Sequence, residues 1–379
     1  MKKIFSIGMN GSMLDDQPTG VGVYSYNLFN HLCSLYSESG QTLTVFTPTR
    51  KLLHPNLRII KISGFLRSSK YGKIAAATRF FWNTFLYRFK AGKFDIMLSP
   101  TSHGSFLLKN QIITIHDLLS LRYKNISAHQ RFYFKYLLPL LISRARVIVA
   151  VSESTKRDII DLCGCPADKV IVVYNGYDPL QYYYNDVKSN AMEKDYGVSD
   201  YFLAVGPTYP HKNFEFLLNA YSKLPEAITK EHPLVIAGGM KKYVEDLKKR
   251  IIELELEDRV HFLGYVPAQQ MGNLYREAFA LVFPSLYEGF GFPLLEAMAC
   301  GCPVMLSNTS SMPEVCGDAA IYFDPTDNNS IQNAFEKIIS DKELRKILID
   351  KGLARAREFS WHKTAKSIKA IIDKQFSAS

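Results

Sequence analysis

Short apolar runs rich in β-branched residues alternate with helical patterns along the whole chain. The apolar runs lie at residues 3–8, 43–47, 95–99, 112–115, 147–151, 170–173, 202–205, 234–237, 260–263, 280–283 and 304–306. Helical patterns lie between them at residues 23–36, 154–163, 214–223, 243–255, 293–299 and 330–339. Strands that are joined through helices pair in parallel, and the helices cover both faces of the sheet. The alternation therefore predicts an α/β chain with two doubly wound parallel sheets.

A polar, tyrosine-rich stretch at residues 178–200 separates the two sets of strands and has no clear period. With 379 residues, the chain is long enough for at least two domains. We therefore expect Rossmann-like domains at residues 1–180 and 195–358, facing a central cleft. Open parallel sheets bind ligands beyond the carboxyl ends of their strands, so we expect functional residues in the loops that follow the strands.

The composition excludes several classes of protein. The longest unbroken apolar runs are far shorter than the ~18 residues that a membrane span needs. The apolar run at residues 4–9 is also too short for a secretory leader. The cysteines occur partly as Cys-x-Cys pairs and lack the spacing of zinc sites. We expect a cytoplasmic protein with buried thiols.

The positive charge is concentrated in the first half of the chain. Residues 1–190 contain 24 Lys and Arg against 11 Asp and Glu, whereas residues 191–379 contain 22 against 25. Within residues 65–94, basic side chains are interleaved with aromatic ones and no acid occurs before Asp95. Such a surface attracts a polyanion, either nucleic acid or an anionic membrane. A core helix with a solvated basic edge explains the same pattern.

Two loops in the first half contain candidate binding residues. Gly20-Val21-Gly22 closes a loop over residues 9–22 and opens a helix, where a ligand can approach the backbone; a flexible loop without a ligand is the alternative. His116-Asp117 follows the strand at residues 112–115. A histidine beside an acid suits hydrogen bonding to a substrate hydroxyl or proton transfer. The alternative is that Asp117 caps a helix and His116 has no role.

In the second half, Lys212 and Asn213 lie at the start of a helix after the strand at residues 202–205. A cation at a helix N-terminus is unfavourable because of the helix dipole. A phosphate bound at the same place would make the lysine favourable. The position therefore predicts that Lys212 binds a phosphate. The neighbouring His211 either adds a hydrogen-bond donor or is a surface residue.

The densest candidate site spans residues 284–301. Glu288 lies in a glycine-containing loop with no partner evident from the sequence, and Glu296 falls in the first turn of the next helix, where an acid also has a structural explanation. Two glutamates in these positions suit hydrogen bonds from sugar hydroxyls. The backbone between them, at Phe290, Gly291, Phe292, Pro293 and Leu294, is expected to hold a diphosphate through the N–H groups that this segment has.

The segment Glu288-Gly-Phe-Gly-Phe-Pro-Leu-Leu-Glu296 resembles the E-x7-E signature of retaining, nucleotide-sugar-dependent glycosyltransferases of family 4, which have the two-domain GT-B fold. Trp361 is similar to the family's returning C-terminal segment, which implies that residues 360–379 pack on the first domain. Further similar motifs occur in order: Gly20-Val21-Gly22, His116-Asp117, Val151-Ser152-Glu153-Ser154, Tyr174-Asn175-Gly176, Lys212-Asn213, Gly238-Gly239, Gly264-Tyr265-Val266-Pro267, Glu296-Ala297-Met298-Ala299-Cys300-Gly301 and Pro313-Glu314-Val315.

The resemblance implies a role for each of the main candidates. Glu296 would bind the ribose hydroxyls, Glu288 the transferred sugar and Lys212 the diphosphate. Gly22 and Asn213 would also contact the donor, and His116 would lie against the sugar near the reacting carbon. Family members commonly carry an arginine where this chain has Pro207 or His211. Binding of the diphosphate is therefore expected to depend on Lys212 and on helix N-termini.

The resemblance also implies the reaction. A hexose, with mannose favoured, would move from a nucleoside-diphosphate sugar such as GDP-mannose to a glycan or lipid-linked acceptor of a bacterial surface polysaccharide. No cofactor is implied, and no metal is expected because the chain lacks Asp-x-Asp. The first domain would bind the acceptor and contact the inner face of an anionic membrane through Arg67, Lys70 and Lys73. The alternatives are a nucleotide-sugar epimerase of GT-B-like fold and a non-catalytic nucleic-acid-binding protein.

Overall fold

The structure is a computed structural model that describes residues 5–16, 20–38, 40–51, 53–123, 127–187, 189–206, 209–239 and 242–377. The chain divides into two compact units. Unit 1 is Met1–Gly176 with Ser360–Ser379, and unit 2 is Tyr177–Phe359. No helix within the described ranges is long and apolar enough to cross a membrane.

Unit 1 is built on a sheet of parallel strands. They are β1 (Ile7–Asn10), β2 (Leu43–Thr47), β3 (Arg58–Lys61), β4 (Ile96–Ser99), β5 (Gln111–Ile115), β6 (Val147–Ala150) and β7 (Val170–Val172). Their order across the sheet is β3-β2-β1-β4-β5-β6-β7. The strands inside the sheet are buried along their whole length, because helices cover both of its faces.

The helices of unit 1 include one that returns from the end of the chain. They are α1 (Gly20–Ser37), α2 (Ser68–Phe81), α3 (Tyr87–Ala91), α4 (Leu119–Arg122), α5 (Ala128–Phe132), α6 (Leu138–Arg144), α7 (Glu153–Cys163) and, numbered last in the chain, α17 (Trp361–Ser377). Helix α17 packs on α1, where the Tyr36 hydroxyl donates to Asp373 at 2.9 Å. At Gly176 a Cβ would lie 2.1 Å from the Trp361 nitrogen, so only glycine lets the two segments approach this closely.

Unit 2 contains a second parallel sheet. Its strands are β8 (Phe202–Val205), β9 (Leu234–Ala237), β10 (Val260–Gly264), β11 (Ala280–Phe283), β12 (Val304–Ser307) and β13 (Ala320–Phe323), and their order is β10-β9-β8-β11-β12-β13. The helices are α8 (Ala191–Tyr196), α9 (Phe214–Tyr221), α10 (Glu226–Glu231), α11 (Lys242–Glu253), α12 (Ala268–Glu277), α13 (Phe292–Ala299), α14 (Met312–Cys316), α15 (Asn328–Ser340) and α16 (Lys342–Ala356). Phe202, Phe214 and Phe335 lie in the core that these helices form on the sheet.

The structure confirms the predicted α/β class and corrects three local expectations. Strands β3 and β13, at sheet edges, were not predicted. Exposed charged residues interrupt the apolar pattern in β3, whereas β13 is an apolar run, Ala-Ile-Tyr-Phe, that the prediction missed. The predicted loop over residues 9–22 is shorter, because α1 already begins at Gly20 and Gly22 is buried in its first turn. Glu296 is the fifth residue of α13 and not part of its first turn. The cysteines are free thiols, and all except Cys163 are buried.

Candidate functional site

Lys212 and Glu288, which lie far apart in the sequence, form an ion pair in unit 2. The Lys212 Nζ lies 2.6 Å from Glu288 Oε1 and 5.1 Å from the centre of the Phe283 ring. Gly206, directly after β8, has a φ of 85°, a backbone conformation that favours glycine. Lys212, predicted to bind the phosphate, and Glu288, predicted to bind the sugar, therefore meet beyond the ends of β8 and β11. Lys212, Glu288 and Glu296 are called the glutamate site below.

The loop that bears Glu288 is held by two serines that the sequence analysis did not single out. The Glu288 N–H donates to Ser310 Oγ at 2.9 Å, and the Ser311 hydroxyl donates to the carbonyls of Glu288 and Phe290. Both serines follow β12, the strand next to β11. Their position after a strand is the signal that could have indicated them.

The structure at the N-terminus of α13 reduces the number of residues whose N–H groups could hold a diphosphate. Pro293 has no N–H group, and the N–H of Leu294 donates to the Gly291 carbonyl at 3.1 Å. The backbone at Gly291 has a φ of 97°, which favours glycine. Pro293 and Leu294 are therefore removed from the predicted diphosphate-binding segment, which keeps the backbone at Phe290, Gly291 and Phe292.

Glu296 lies one turn after the start of α13 and is close to two tyrosines. The Tyr275 hydroxyl donates to Glu296 Oε2 at 3.0 Å, and the Tyr182 hydroxyl is near enough to lower the pKa of the same carboxyl group. Burial raises the pKa of Glu296 to about 7, although the two hydroxyl groups act in the opposite direction. Tyr182 belongs to the stretch that the sequence analysis treated as a connection, and neither tyrosine had a signal in the sequence.

His211 and Asn213 flank Lys212 but have different surroundings. The His211 ring is buried and stacks on Tyr209, and burial together with the Lys212 charge lowers its pKa to about 4. In this state the ring has one N–H donor and no positive charge, so it does not supply a second cation beside Lys212. Asn213 is buried, and its side-chain amide donates to the Pro325 carbonyl at 2.7 Å. Pro207, the other departure from the family pattern, lies outside the described residues.

Unit 1 contains a cavity of about 550 Å³ that includes His116. The His116 Nε2 lies 2.8 Å from the Pro100 carbonyl, which can only accept, so Nε2 bears the hydrogen and Nδ1 is an acceptor. Burial lowers the pKa of His116 to about 4, and the ring is therefore neutral at pH 7. Asp117 accepts from the Leu119 N–H at 3.0 Å at the start of α4, as the capping alternative predicts.

Other residues of this cavity were not indicated by the sequence. His103 stacks on the Tyr133 ring with centroids 5.6 Å apart, and burial lowers the pKa of His103 to about 4. The Phe80 ring meets Tyr133 edge-on, and Val21 lines the cavity beside Gly22. These residues come from separate helices and loops, so no local motif marks them.

The predicted basic surface is partly available to a ligand. Arg67 pairs with Asp16 at 2.7 Å, whereas Lys70, Arg88 and Lys90 are exposed. The Lys73 side chain lies outside what the structure describes. Two series of large apolar side chains are at least half exposed on the helical segments that line the cavity: Phe81, Phe85 and Phe89 in one, and Phe132, Tyr136 and Leu140 in the other.

Known proteins match this chain across both units. A model of "Glycosyl transferases group 1" matches residues 191–355, and a model of "Glycosyltransferase Family 4" matches residues 18–180. The O-antigen chain mannosyltransferase RfbU of Salmonella typhimurium is 34% identical over 242 residues, which span 64% of each chain. The O-antigen chain mannosyltransferase B of Escherichia coli is 32% identical over 266 residues, which cover 69% of this chain and 70% of that protein.

A solved structure matches the fold over nearly the full length. Sucrose-phosphate synthase from Thermosynechococcus elongatus aligns with a TM-score of 0.74 at 18% identity, covering 99% of this chain and 100% of that one. The two parallel sheets with their covering helices are therefore those of the GT-B fold. Together with the E-x7-E segment and the sequence relatives, this shows that the chain belongs to glycosyltransferase family 4.

Proposed function

We propose that this protein is a retaining hexosyltransferase that moves a hexose from a nucleoside-diphosphate sugar to a glycan or lipid-linked oligosaccharide of a bacterial surface polysaccharide. The glutamate site carries this proposal, because a lysine and a glutamate are paired beyond two strand ends and a second glutamate lies in the helix that follows. The relatives named O-antigen chain mannosyltransferases support mannose as the sugar. GDP-mannose is proposed as the donor on the family resemblance.

In this proposal, binding of the donor separates the ion pair, and each of its two side chains contacts the donor instead. The diphosphate takes Lys212 and the N–H groups ahead of Pro293, while Glu288 turns to the hydroxyls of the transferred sugar. The bond between the sugar carbon and the phosphate oxygen breaks, and a bond to the acceptor oxygen forms on the same face. The leaving phosphate accepts the acceptor proton, so Lys212 and the helix start stabilise charge that develops on phosphate oxygens.

The cavity of unit 1 supports binding of an uncharged sugar. Two neutral imidazoles, His103 and His116, present polar atoms, and Tyr133 and Phe80 present aromatic faces. Sugars are bound by this combination, because hydroxyl groups need hydrogen-bond partners and the C–H faces of the ring pack on aromatic side chains. The Nδ1 of His116 is the acceptor available to a sugar hydroxyl.

We also propose that unit 1 meets its lipid-linked acceptor at an anionic membrane. The two exposed apolar series lie on the segments that supply Phe80, Phe132 and Tyr133 to the cavity wall. Exposed Lys70, Arg88 and Lys90 accompany them, and basic side chains are attracted to anionic headgroups. An apolar, basic surface next to the cavity supports a peripheral contact with the inner face of a membrane.

A donor screen tests the proposed reaction. GDP-mannose, UDP-glucose, UDP-galactose and UDP-N-acetylglucosamine are incubated with the protein and a lipid-linked oligosaccharide, and nucleoside-diphosphate release and the product anomer are measured. We expect release of GDP and an α-linked mannose. Release of UDP alone would refute mannose, and an inverted product would refute retention. Altered sugar stereochemistry without transfer would indicate the epimerase.

A further inference from the structure

Two tyrosines from different segments lie at the Glu296 carboxyl group. We propose that Tyr275 and Tyr182 are positioning residues for Glu296, and that nucleotide binding to this carboxylate releases a proton. The inference rests on the proposed function, because it takes Glu296 to be the acceptor for the ribose hydroxyls. It extends that function by naming the residues that aim the carboxylate and the pH dependence that they control.

Tyr275, on α12, donates its hydroxyl hydrogen to Glu296 Oε2 at 3.0 Å. The Tyr182 hydroxyl lies near the same carboxyl group and acts to lower its pKa. Gln181 Nε2 donates to the Tyr182 oxygen at 3.0 Å, and the two tyrosine rings meet edge-on, with their centroids 6.0 Å apart. The carboxyl group is therefore held by Tyr275 and flanked by a second hydroxyl group whose position Gln181 fixes.

The segment that bears Tyr182 is attached to α12 at a glycine. The Gln181 side chain donates to the Ala268 carbonyl, and the Gln181 carbonyl would lie 2.5 Å from a Cβ at Gly272. A side chain at Gly272 would therefore displace Gln181, and with it Tyr182. This contact gives a second way to disturb the cluster without removing a hydroxyl group.

Burial and the neighbouring hydroxyl groups act on the Glu296 carboxyl group in opposite directions. Burial raises the pKa of Glu296 to about 7, and the hydroxyl groups of Tyr275 and Tyr182 lower it. The other titratable groups nearby are the Cys300 thiol directly after α13, Asp178 beside Tyr182, and Arg276 on α12, which donates to the Tyr183 carbonyl. Because ribose hydroxyls donate most strongly to an ionised carboxylate, binding of the nucleotide draws the proton from Glu296.

Calorimetric titration of GDP, with UDP as a second probe, tests the proposal between pH 6 and pH 9. Glu296→Gln has no titratable group at this position and serves as the baseline for the nucleotide's own ionisation. Relative to this baseline, the parent protein should bind about tenfold more weakly at pH 6 than at pH 8 and release about half a proton at pH 7, as a pKa near 7 requires. Tyr275→Phe and Tyr182→Phe should shift the midpoint of this dependence to higher pH.

Double variants and a control distinguish positioning from a general loss of structure. Tyr275→Phe should have no effect on affinity when it is combined with Glu296→Gln, and Gly272→Ala should shift the midpoint as Tyr182→Phe does. Tyr201→Phe is the control, because this buried hydroxyl donates to the Leu274 carbonyl. It should leave the midpoint unchanged. If the parent shows the same pH dependence as Glu296→Gln, the inference is wrong; if neither nucleotide binds the parent at pH 8, the proposed function itself fails.

Discussion

The candidate sites of the two units have opposite electrostatic character. In unit 2, Lys212 and Glu288 form a close ion pair, with each side chain less than one fifth exposed. In unit 1, His103 and His116 are neutral at pH 7, because burial lowers the pKa of each to about 4. Paired charges can be exchanged for those of an anionic ligand, whereas neutral polar groups suit an uncharged one. Within the proposed function, the difference assigns the donor to unit 2 and the acceptor sugar to unit 1.

The largest effect is expected at Glu288. If it holds the transferred sugar while charge develops at the reacting carbon, Glu288→Gln should lower kcat by roughly 100- to 1000-fold. Free GDP should bind as tightly as before or more tightly, because Lys212 loses its carboxylate partner. Steady-state kinetics and calorimetry measure the two quantities. Loss of GDP binding in this variant would contradict the assignment.

Replacing His116 in unit 1 should slow catalysis without changing the affinity for the nucleotide of the donor. His116→Gln should lower kcat by roughly 100-fold while the Kd for GDP stays unchanged. Since the neutral imidazole is the active form and its pKa is about 4, protonation of His116 should not affect kcat in the parent between pH 6 and pH 8, and should lower kcat only as the pH approaches 4. A weaker Kd for GDP in this variant would refute the separation between the units.

The basic surface should matter for the acceptor and not for the nucleotide. Charge reversal at Lys70, Arg88 and Lys90 should weaken binding to anionic liposomes by roughly 100-fold, at about 1 kcal/mol for each basic residue near the membrane, and by less at high salt. Sedimentation with liposomes measures it. The control is reversal of three exposed lysines of unit 2, at Lys249, Lys342 and Lys346. Equal binding of the parent to neutral and anionic liposomes would rule out the electrostatic contact.

Glu296 should show the reverse pattern to Glu288. Glu296→Gln should weaken the binding of the nucleotide-sugar donor and of free GDP alike, by about 10- to 100-fold at pH 8, since charge-assisted hydrogen bonds to the ribose are lost. The change should appear mainly in KM. If Glu296→Gln binds GDP as the parent does at pH 8, the carboxylate has only a structural role.

The smallest effect is expected from chelation. Because the charge of the diphosphate is met by Lys212 and backbone N–H groups, excess EDTA should change the rate by less than about twofold. Residual metal is checked by elemental analysis of the dialysed protein. Loss of most activity, restored by Mg²⁺ or Mn²⁺, would show that Lys212 and the backbone N–H groups do not suffice to stabilise the charge of the leaving diphosphate.

The elements that sequence reasoning placed well are buried and continuous. Strands β2, β8, β9 and β11 have the bounds that the apolar runs predict, since burial on both faces requires an unbroken apolar stretch. Edge strand β3 was missed because solvent reaches its side chains and permits polar residues there. The same reasoning explains why Glu288 and Lys212 were identified while Tyr182 was not. The first two are charged residues at strand ends, and Tyr182 lies in an irregular stretch without a motif.

The sequence by itself determined the α/β class, the loops that bear the candidate ligands and the likeness to family 4, because each is encoded in neighbouring residues. The tertiary structure alone decided which side chains meet. It paired Lys212 with Glu288 across 76 positions of the chain and brought Tyr275 to Glu296 from the preceding helix. It also decided that His116, His211 and Glu296 have shifted pKa values, since burial is the first cause of each shift. Burial depends on how the whole unit packs, and local sequence does not specify that packing.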